Sequence, residues 1–273
     1  MKASTGIGIA IAVVAILGGA TVEGTSLGTL INVPAIVIVL GGTLGATIAA
    51  VGLEPVRAMP ALLRRAVRAT ASDRAGRAAE LVGYAERARR EGLLSLEEEV
   101  GRIEDRYCRK GMQLVVDGTE PATLRAVLEA ETDAMAGRHE VGAGAFEKAG
   151  GFAPTIGIMG AVLGLMHALG YLDSPGMLGT AIASAFVATL LGVGLANVLL
   201  LPVGNRLQAL SLDEQELQEM TMEGVLAIQA GENPRILAER LEAYVPPGLR
   251  DGAGDDGDEP PVSLSDERRR RAA

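Results

Sequence analysis

Two long stretches without a charged residue constrain the fold of this chain more than any other feature. No Asp, Glu, Lys or Arg occurs in residues 24–53 or in residues 174–205. An uncharged, apolar stretch of about 18 or more residues is long enough to cross a bilayer as a helix. Hydrophobic residues make up 48% of the sequence but aromatic residues only 3%, whereas a soluble core normally uses large aromatic side chains. The sequence therefore predicts a membrane protein.

Four apolar segments are predicted to span the membrane as helices, and no segment shows the alternating pattern of a β-strand. They are residues 5–20, 33–53, 151–171 and 178–201. The first also resembles a secretory signal, because Lys2 precedes its apolar stretch and small residues end it. A second span follows only twelve residues later, which favours a retained helix. We expect an all-α membrane protein with four transmembrane helices.

The distribution of basic residues predicts the orientation. Sixteen of the 25 basic residues lie in residues 54–150 and eight follow residue 201, while residues 21–32 and 172–177 contain none. Because Lys and Arg accumulate in cytoplasmic loops, both termini are predicted to be cytoplasmic (N-in, C-in), with a helical cytoplasmic domain between helices 2 and 3. The expected organisation is helices 1 and 2 in residues 1–53, a cytoplasmic loop in 54–150, helices 3 and 4 in 151–203, cytoplasmic helices in 204–245 and a disordered acidic tail in 246–273.

Helix signals also occur outside the spans. Ser95 and Glu98 form a capping box, which predicts a helix that Gly111 ends. Pro121 is predicted to begin a helix that runs towards Phe146. Apolar spacing predicts further helices in residues 74–92, 213–229 and 235–244.

Small residues recur at helical spacing on spans 3 and 4. Such faces let helix backbones approach closely in a membrane, so we expect the two helices to pair. Contacts between subunits are a further use of such faces, generic bundle packing would explain them too, and the sequence leaves these alternatives open. The residues are Ala153, Gly157, Gly160, Gly164 and Ala168 on span 3, and Ala181, Ala185, Ala188, Gly192 and Ala196 on span 4.

None of the four predicted spans contains Asp, Glu, Lys or Arg. Ion carriers usually keep an ionisable group at membrane depth, because the ion binds there. His167 lies near the outer end of span 3, where an interfacial ring is favoured over a proton relay. If the chain conducts ions, a partner must therefore supply a carboxylate. The sequence shows no nucleophile–base pair, phosphate loop or metal-ligand cluster, so no enzyme is expected, and its net charge of −9 argues against a nucleic-acid binder.

Six segments in order along residues 5–245 carry the motifs of one known family. They are NVPAIVIVLGGT (32–43), RREGLLSLE (89–97), GFAPTIGIMGAVLGL (151–165), AFVATLLG (185–192), LPVGNRL (201–207) and EGVLAIQAGENPR (223–235). With the four-span layout, these motifs resemble the MotA subunits of the bacterial flagellar stator, in the MotA/TolQ/ExbB proton channel family.

The resemblance implies a stator subunit of the bacterial cytoplasmic (inner) membrane, without a cofactor, that converts ion flow into torque. Such subunits form a homo-oligomeric ring, expected to be a pentamer, around a MotB-like partner. That partner has a single span with an Asp that carries the ion, and a peptidoglycan-binding domain. The cytoplasmic loop in residues 54–150 is implied to push a FliG-like rotor protein.

Six residues match positions with roles in the family. Arg89 and Glu97 match charged positions that face the rotor, although the residues by themselves favour a solvated surface. Pro154 and Pro202 match prolines at the cytoplasmic ends of spans 3 and 4, where a missing amide donor could create a hinge or simply end a helix.

Thr189 and Ala161 match positions along the ion path. The resemblance implies that Thr189 faces the partner's aspartate, although a threonine hydroxyl in a membrane helix often bonds to its own backbone. Ala161 falls where sodium-driven relatives often carry a second threonine. The missing oxygen removes a potential sodium ligand, so H⁺ is favoured over Na⁺.

Two other classes of function remain open from the sequence. A TolQ/ExbB-like energiser of an envelope process is the main alternative, but that family typically has one span before its large cytoplasmic region. A self-contained channel or structural bundle is the other class. Non-motility use of a MotA-like subunit, for gliding or envelope work, also stays open.

Overall fold

The computed structural model describes residues 4–70 and 72–250, and every regular element in these residues is helical. The predicted acidic tail lies outside the described residues from position 251 on. The helices are α1 (Ser4–Val22), α2 (Val33–Val51), α3 (Leu53–Arg68), α4 (Arg74–Glu91), α5 (Glu97–Val100), α6 (Arg106–Val116), α7 (Pro121–Ala168), α8 (Pro175–Gln229) and α9 (Pro234–Glu242).

Four of these helices (α1, α2, α7 and α8) are long and apolar enough to cross a membrane. The prediction of an all-α chain with four membrane helices is therefore confirmed. The orientation with both termini in the cytoplasm stays a prediction. Two of the four helices contain a widened π-helical segment, at Val37–Gly41 in α2 and at Leu195–Leu200 in α8.

The chain divides into two compact units. Of the described residues, one unit contains 4–70, 72 and 120–219, and the other contains 73–119 and 220–250. The first holds all four apolar segments, and its core includes Ala149, Ala153, Ala196 and Val203. In the second, the buried apolar residues include Leu81, Met112 and Leu237.

A sharp bend at Gly52 ends the second membrane helix. Gly52 has φ +83°, a conformation that glycine adopts without a steric penalty. The next helix, α3, buries Val56 and Ala66 and exposes Arg57, Arg64 and other basic residues. A single residue, Gly52, therefore separates the uncharged span from an amphipathic helix.

The predicted helix end near Phe146 is wrong. Helix α7 runs without a break from Pro121 to Ala168, through Pro154. Ala145, Phe146, Ala149 and Gly150 are all buried, so packing continues across the point where the composition changes. The predicted helix in residues 213–229 is likewise the last part of α8 and not a separate element.

The helix predicted between Ser95 and Gly111 is also wrong. It is divided into α5 and α6, and Gly111 lies buried inside α6. The Ser95 hydroxyl donates to the Gly92 carbonyl oxygen at 2.6 Å and does not cap a helix. Asp105 caps α6 instead, accepting a 2.7 Å hydrogen bond from the Cys108 amide.

The predicted pairing of the small-residue faces is confirmed. The Cβ position of Gly160 is 3.1 Å from the Ala188 Cβ atom, and that of Gly164 is 2.9 Å from the Ala185 Cβ atom. Glycine at these positions allows the backbones of α7 and α8 to approach within contact distance.

Candidate functional site

The seam between α7 and α8 positions Thr189. The Cβ position of Gly157 lies 2.9 Å from the Ala188 carbonyl oxygen and 3.4 Å from the Thr189 Cα atom. Thr189 therefore sits beside the backbone of α7, where no side chain on Gly157 separates the helices. It is half-buried in the described structure.

The hydroxyl of Thr189 makes no hydrogen bond with any described residue, unlike the hydroxyls of Thr155 and Thr180 in the same two spans. The hydroxyl of Thr180 donates to the Gly176 carbonyl at 3.0 Å, and that of Thr155 donates to the Phe152 carbonyl at 2.8 Å. Bonding back to its own helix is the common arrangement for a membrane threonine. At Thr189 this bond is absent, so the oxygen is available to a group from outside these residues.

Pro154 and Ala161 lie along α7 on either side of Gly157. They are three residues before it and four after it, so all three share one helix face, and each of the two lies about one turn from Gly157. Both are half-buried. The structure thus brings Pro154, Ala161 and Thr189 to the same stretch of the α7–α8 pair.

Pro202 is not part of that cluster. It follows Thr189 by thirteen residues, which is about 20 Å along a helix. Its neighbour Leu201 packs on α7, with Cδ2 2.6 Å from the Cβ position of Gly150. Pro202 therefore lies towards the Pro154 end of the helix pair, away from Ala161.

Neither matched proline ends a helix. Pro202 has no N–H to donate to the carbonyl four residues earlier, and the π-helical segment Leu195–Leu200 comes directly before it. A π turn moves backbone bonds from the fourth to the fifth preceding carbonyl. The Asn197 side-chain amide donates to the Val193 carbonyl at 2.9 Å, which satisfies an acceptor in this irregular segment. The alternative of simple helix termination is wrong for both Pro154 and Pro202.

Two polar features, one at the start of α2 and one inside it, were missed in the sequence. Asn32 accepts a 3.0 Å hydrogen bond from the Ala35 amide and donates to the Ser184 hydroxyl, so it joins the start of α2 to α8. Its position before Val-Pro is an N-cap signal that could have identified it. The Thr43 hydroxyl is enclosed without a hydrogen-bond partner, and no sequence pattern indicated this.

Arg89 and Glu97 belong to the other compact unit, at the two ends of one short connection. Arg89 is in the last turn of α4, and Gly92 ends that helix with φ +87°. A turn of 3₁₀-helix, Leu93–Leu96, leads to Glu97. Both side chains are exposed and have no ion-pair partner among the described residues.

The connection between these two charges is held by a different ion pair. Arg87 in α4 donates to the Glu99 carboxylate in α5. The hydrogen bond with Glu99 and its negative charge raise the pKa of Arg87. Because neighbouring residues make the structural pair, Arg89 and Glu97 remain available to a partner.

The cysteine and one histidine, Cys108 and His139, are enclosed by the fold and are not exposed reactive groups. Burial raises the pKa of the Cys108 thiol to about 11, so this thiol stays protonated and unreactive at neutral pH. His139 in α7 is half-buried, with Nδ1 3.2 Å from the Ser211 hydroxyl of α8. Within residues 4–70 and 72–250, no cluster of three or more His, Cys, Asp or Glu side chains could hold a metal ion.

Four membrane-capable helices, an all-helical fold and a polar residue at a tight helix seam define a multi-pass helical membrane protein. The family profile "Motility protein A N-terminal" matches residues 6–86, and the profile "MotA/TolQ/ExbB proton channel family" matches residues 99–221. The chain belongs to the MotA/TolQ/ExbB proton channel family.

Its relatives are similar over most of their length. Motility protein A of Bacillus subtilis is 37% identical over 244 residues, which cover 88% of this chain and 89% of the relative. Chemotaxis protein PomA of Vibrio alginolyticus is 33% identical over 232 residues, 85% of this chain and 90% of that protein.

Two solved stator structures share the fold. The C. jejuni MotAB structure has a TM-score of 0.87 and 29% identity, covering 94% of this chain and all of the matched chain (100%). The flagellar MotAB stator complex of Bacillus subtilis has a TM-score of 0.83 and 36% identity, covering 89% of this chain and 96% of the matched chain.

Proposed function

We propose that this chain is the ring-forming subunit of a bacterial flagellar stator, in which ion flow is converted into torque on the rotor. The main support is the sequence identity of 37% with Motility protein A of Bacillus subtilis, which extends over 88% of this chain and 89% of that protein. The fold agrees, because its structural neighbours are MotAB stator chains. Neither these neighbours nor the family profile indicates an enzyme.

The partner is a MotB-like protein with one membrane span, a membrane Asp and a peptidoglycan-binding domain. The neighbours are MotAB complexes, and the spans of this chain contain no Asp, Glu, Lys or Arg. A carboxylate from the partner would supply the missing ion-binding group. The subunit forms a homo-oligomeric ring, which we propose is a pentamer, around the partner's helices.

Thr189 is the residue that we propose faces the partner's aspartate. Its hydroxyl has no hydrogen bond within the described residues, and its Cα atom lies 3.4 Å from the Cβ position of Gly157 in the α7–α8 seam. Pro154 and Ala161 line the same stretch of α7, and Pro202 lies where α8 leaves its apolar part. A regular α-helix without proline resists bending. Pro202 and the π-helical segment before it lower the free energy needed to bend α8 at this point.

Arg89 and Glu97 are proposed to contact a FliG-like rotor protein. Both are exposed and unpaired, while Arg87 and Glu99 stabilise the connection between them. Opposite charges held at fixed positions favour steering and register against a charged partner. An ion that crosses the membrane releases roughly 2.3 kcal/mol per 100 mV, so several ions would supply the work for one step.

The protein is proposed to reside in the bacterial cytoplasmic membrane with both termini in the cytoplasm. The distribution of Lys and Arg supports this orientation. The TolQ/ExbB-like alternative is less favoured, because the motility-specific N-terminal profile matches residues 6–86.

Deletion of the gene in the source bacterium tests the proposal. Deletion mutants should retain flagellar filaments that no longer rotate, and a plasmid copy should restore swimming. Counting the filaments by electron microscopy separates loss of torque from loss of flagellar assembly. Normal swimming together with an envelope defect would instead support the energiser alternative.

A further inference from the structure

An apolar groove runs between α1 and the spanning part of α8. Its volume is about 360 Å³, and all of its lining residues are aliphatic or glycine, among them Val13 of α1 and Leu191 and Leu199 of α8. This volume lies within the range of small-molecule pockets, which is about 300–1,000 Å³.

The groove lies at membrane depth. Its walls belong to two helices that are apolar enough to span a bilayer, and the spanning window of α1 has none of its residues buried (0%). Three of its lining residues, Val13, Ile16 and Leu190, are 41%, 44% and 48% exposed. The groove is therefore accessible to the hydrocarbon interior, where lipid acyl chains are the surrounding solvent.

A cation without a partner lies beyond one end of this groove. Arg206 follows Leu199 by seven residues, which places both on one face of α8, about 10 Å apart along the axis. Arg206 is half-buried, and it makes no hydrogen bond or ion pair with a described residue. Of its guanidinium nitrogens, Nε is the one enclosed without a hydrogen-bond partner. A guanidinium group in this situation is suited to a phosphate, which it can bind through two parallel hydrogen bonds.

We propose that an anionic phospholipid occupies this site. One acyl chain lies in the groove between α1 and α8, and the phosphate binds the terminal guanidinium nitrogens of Arg206. A phospholipid accounts for both the apolar groove and the unpaired guanidinium. Its acyl chain fits the groove, and its phosphate is at the depth where the apolar segment of α8 ends and Arg206 follows.

The composition of the groove favours a lipid over a helix from a second copy. Helix–helix contacts in membranes are enriched in small residues, and the α7–α8 seam shows this enrichment. The groove instead presents branched side chains such as Ile9, Val198 and Leu199, with Gly194 as its one small residue. Flexible acyl chains fill such an irregular surface more readily than a rigid helix does.

Native mass spectrometry of the purified full chain in detergent tests the site. Phosphatidylglycerol and phosphatidylcholine with identical acyl chains are titrated separately. The wild type should prefer phosphatidylglycerol, and Arg206→Gln should weaken phosphatidylglycerol binding by about five-fold, the factor expected for one basic residue at an anionic surface. Arg57→Gln removes an exposed charge from α3 and should leave both affinities unchanged.

A second variant tests the groove itself. A side chain at position 194 meets open space, since nothing lies within 4 Å of the Gly194 Cβ position. Gly194→Leu should therefore fill the groove and weaken both lipids equally. If Arg206→Gln fails to fold, Arg206→Lys serves instead. It keeps the charge but loses the planar guanidinium group, so its loss of phosphatidylglycerol selectivity should be smaller than the loss of about five-fold expected for Arg206→Gln.

Three results would overturn the proposal. One is equal phosphatidylglycerol affinity in the wild type and in both Arg206 variants. Another is inorganic phosphate binding as tightly as phosphatidylglycerol, which would indicate a site for a free anion. The third is a Gly194→Leu chain that binds lipid normally but no longer oligomerises, which would assign the groove to a second copy of the chain.

Discussion

Gly157 and Gly192 place the backbones of α7 and α8 in direct contact: a methyl group on Gly192 would lie 3.0 Å from the Gly157 Cα atom. The same methyl group would lie 2.5 Å from the Ala153 carbonyl oxygen. No carbon atom can occupy that position unless the two helices separate. The relationship fixes the distance between the helices that carry Thr189 and Ala161.

We expect Gly192→Ala to destabilise the protein by about 1–3 kcal/mol, because the added methyl group overpacks the helix seam. Gly194→Ala is the matched control, since its Cβ position has nothing within 4 Å. Thermal unfolding of the two purified variants measures the difference. Equal melting temperatures would show that the seam tolerates a methyl group.

Replacing Thr189 by Val should abolish ion flux without lowering stability, because the hydroxyl makes no hydrogen bond with the described residues. Thr189→Ser keeps the oxygen and should keep most of the activity. Thr180→Val is the matched control, since that hydroxyl bonds to its own helix. Proton flux into cells that co-express the partner is the measurement. Flux that survives in Thr189→Val would exclude the hydroxyl from the ion path.

Reversing the charge of Arg89 should weaken binding to the rotor protein and reduce swimming. Arg90→Glu makes the same change of charge at the next, equally exposed residue of α4, and it should have a smaller effect. Neither side chain has an ion-pair partner in the described structure, so folding should be unaffected. Co-purification with a FliG-like protein gives the comparison. Unchanged binding and motility in Arg89→Glu would remove this residue from the rotor contact.

Torque should persist when sodium is removed at constant proton-motive force. Ala161 presents a methyl group beside the Thr189 region and therefore adds no oxygen ligand for Na⁺. The rotation speed of tethered cells in potassium-based and sodium-based buffers is the measurement. Collapse of rotation in the sodium-free buffer would establish sodium coupling. Ala161→Thr alone is not expected to change the ion.

Stability should decrease as the pH falls below 6.5, the usual pKa of histidine. Burial lowers the pKa of His139, and Arg65 and Arg138 lower it further, against an opposing effect of Glu214. The unfolded chain therefore takes up a proton before the folded chain does, so acidification favours unfolding.

The His139→Gln variant isolates this contribution. The variant should lose part of the fall in melting temperature between pH 6.5 and about 5.5, a range above that in which carboxylates titrate. His167→Gln controls for the loss of a histidine and should leave the dependence in place. Identical pH profiles for wild type and His139→Gln would contradict the prediction.

The sequence predicts the membrane helices and the α7–α8 seam correctly, because both depend on residues that are close together in the chain. The membrane helices follow from uncharged length, and the seam follows from small residues repeated every three or four positions, as at Gly157, Gly160 and Gly164. The predicted positions of several helix ends are wrong. Gly111 and Pro154 carry strong local signals for termination, but buried contacts on both sides keep α6 and α7 continuous.

The sequence by itself determined the all-helical membrane fold, the small-residue faces of the third and fourth spans, and the family. These properties depend on composition and spacing along one chain. Only the tertiary structure decided which buried polar atoms have no hydrogen-bond partner among the described residues, such as the Thr43 hydroxyl and the Nε atom of Arg206. A hydrogen bond depends on atoms that are distant in sequence but close in space, so no linear pattern can show whether it forms.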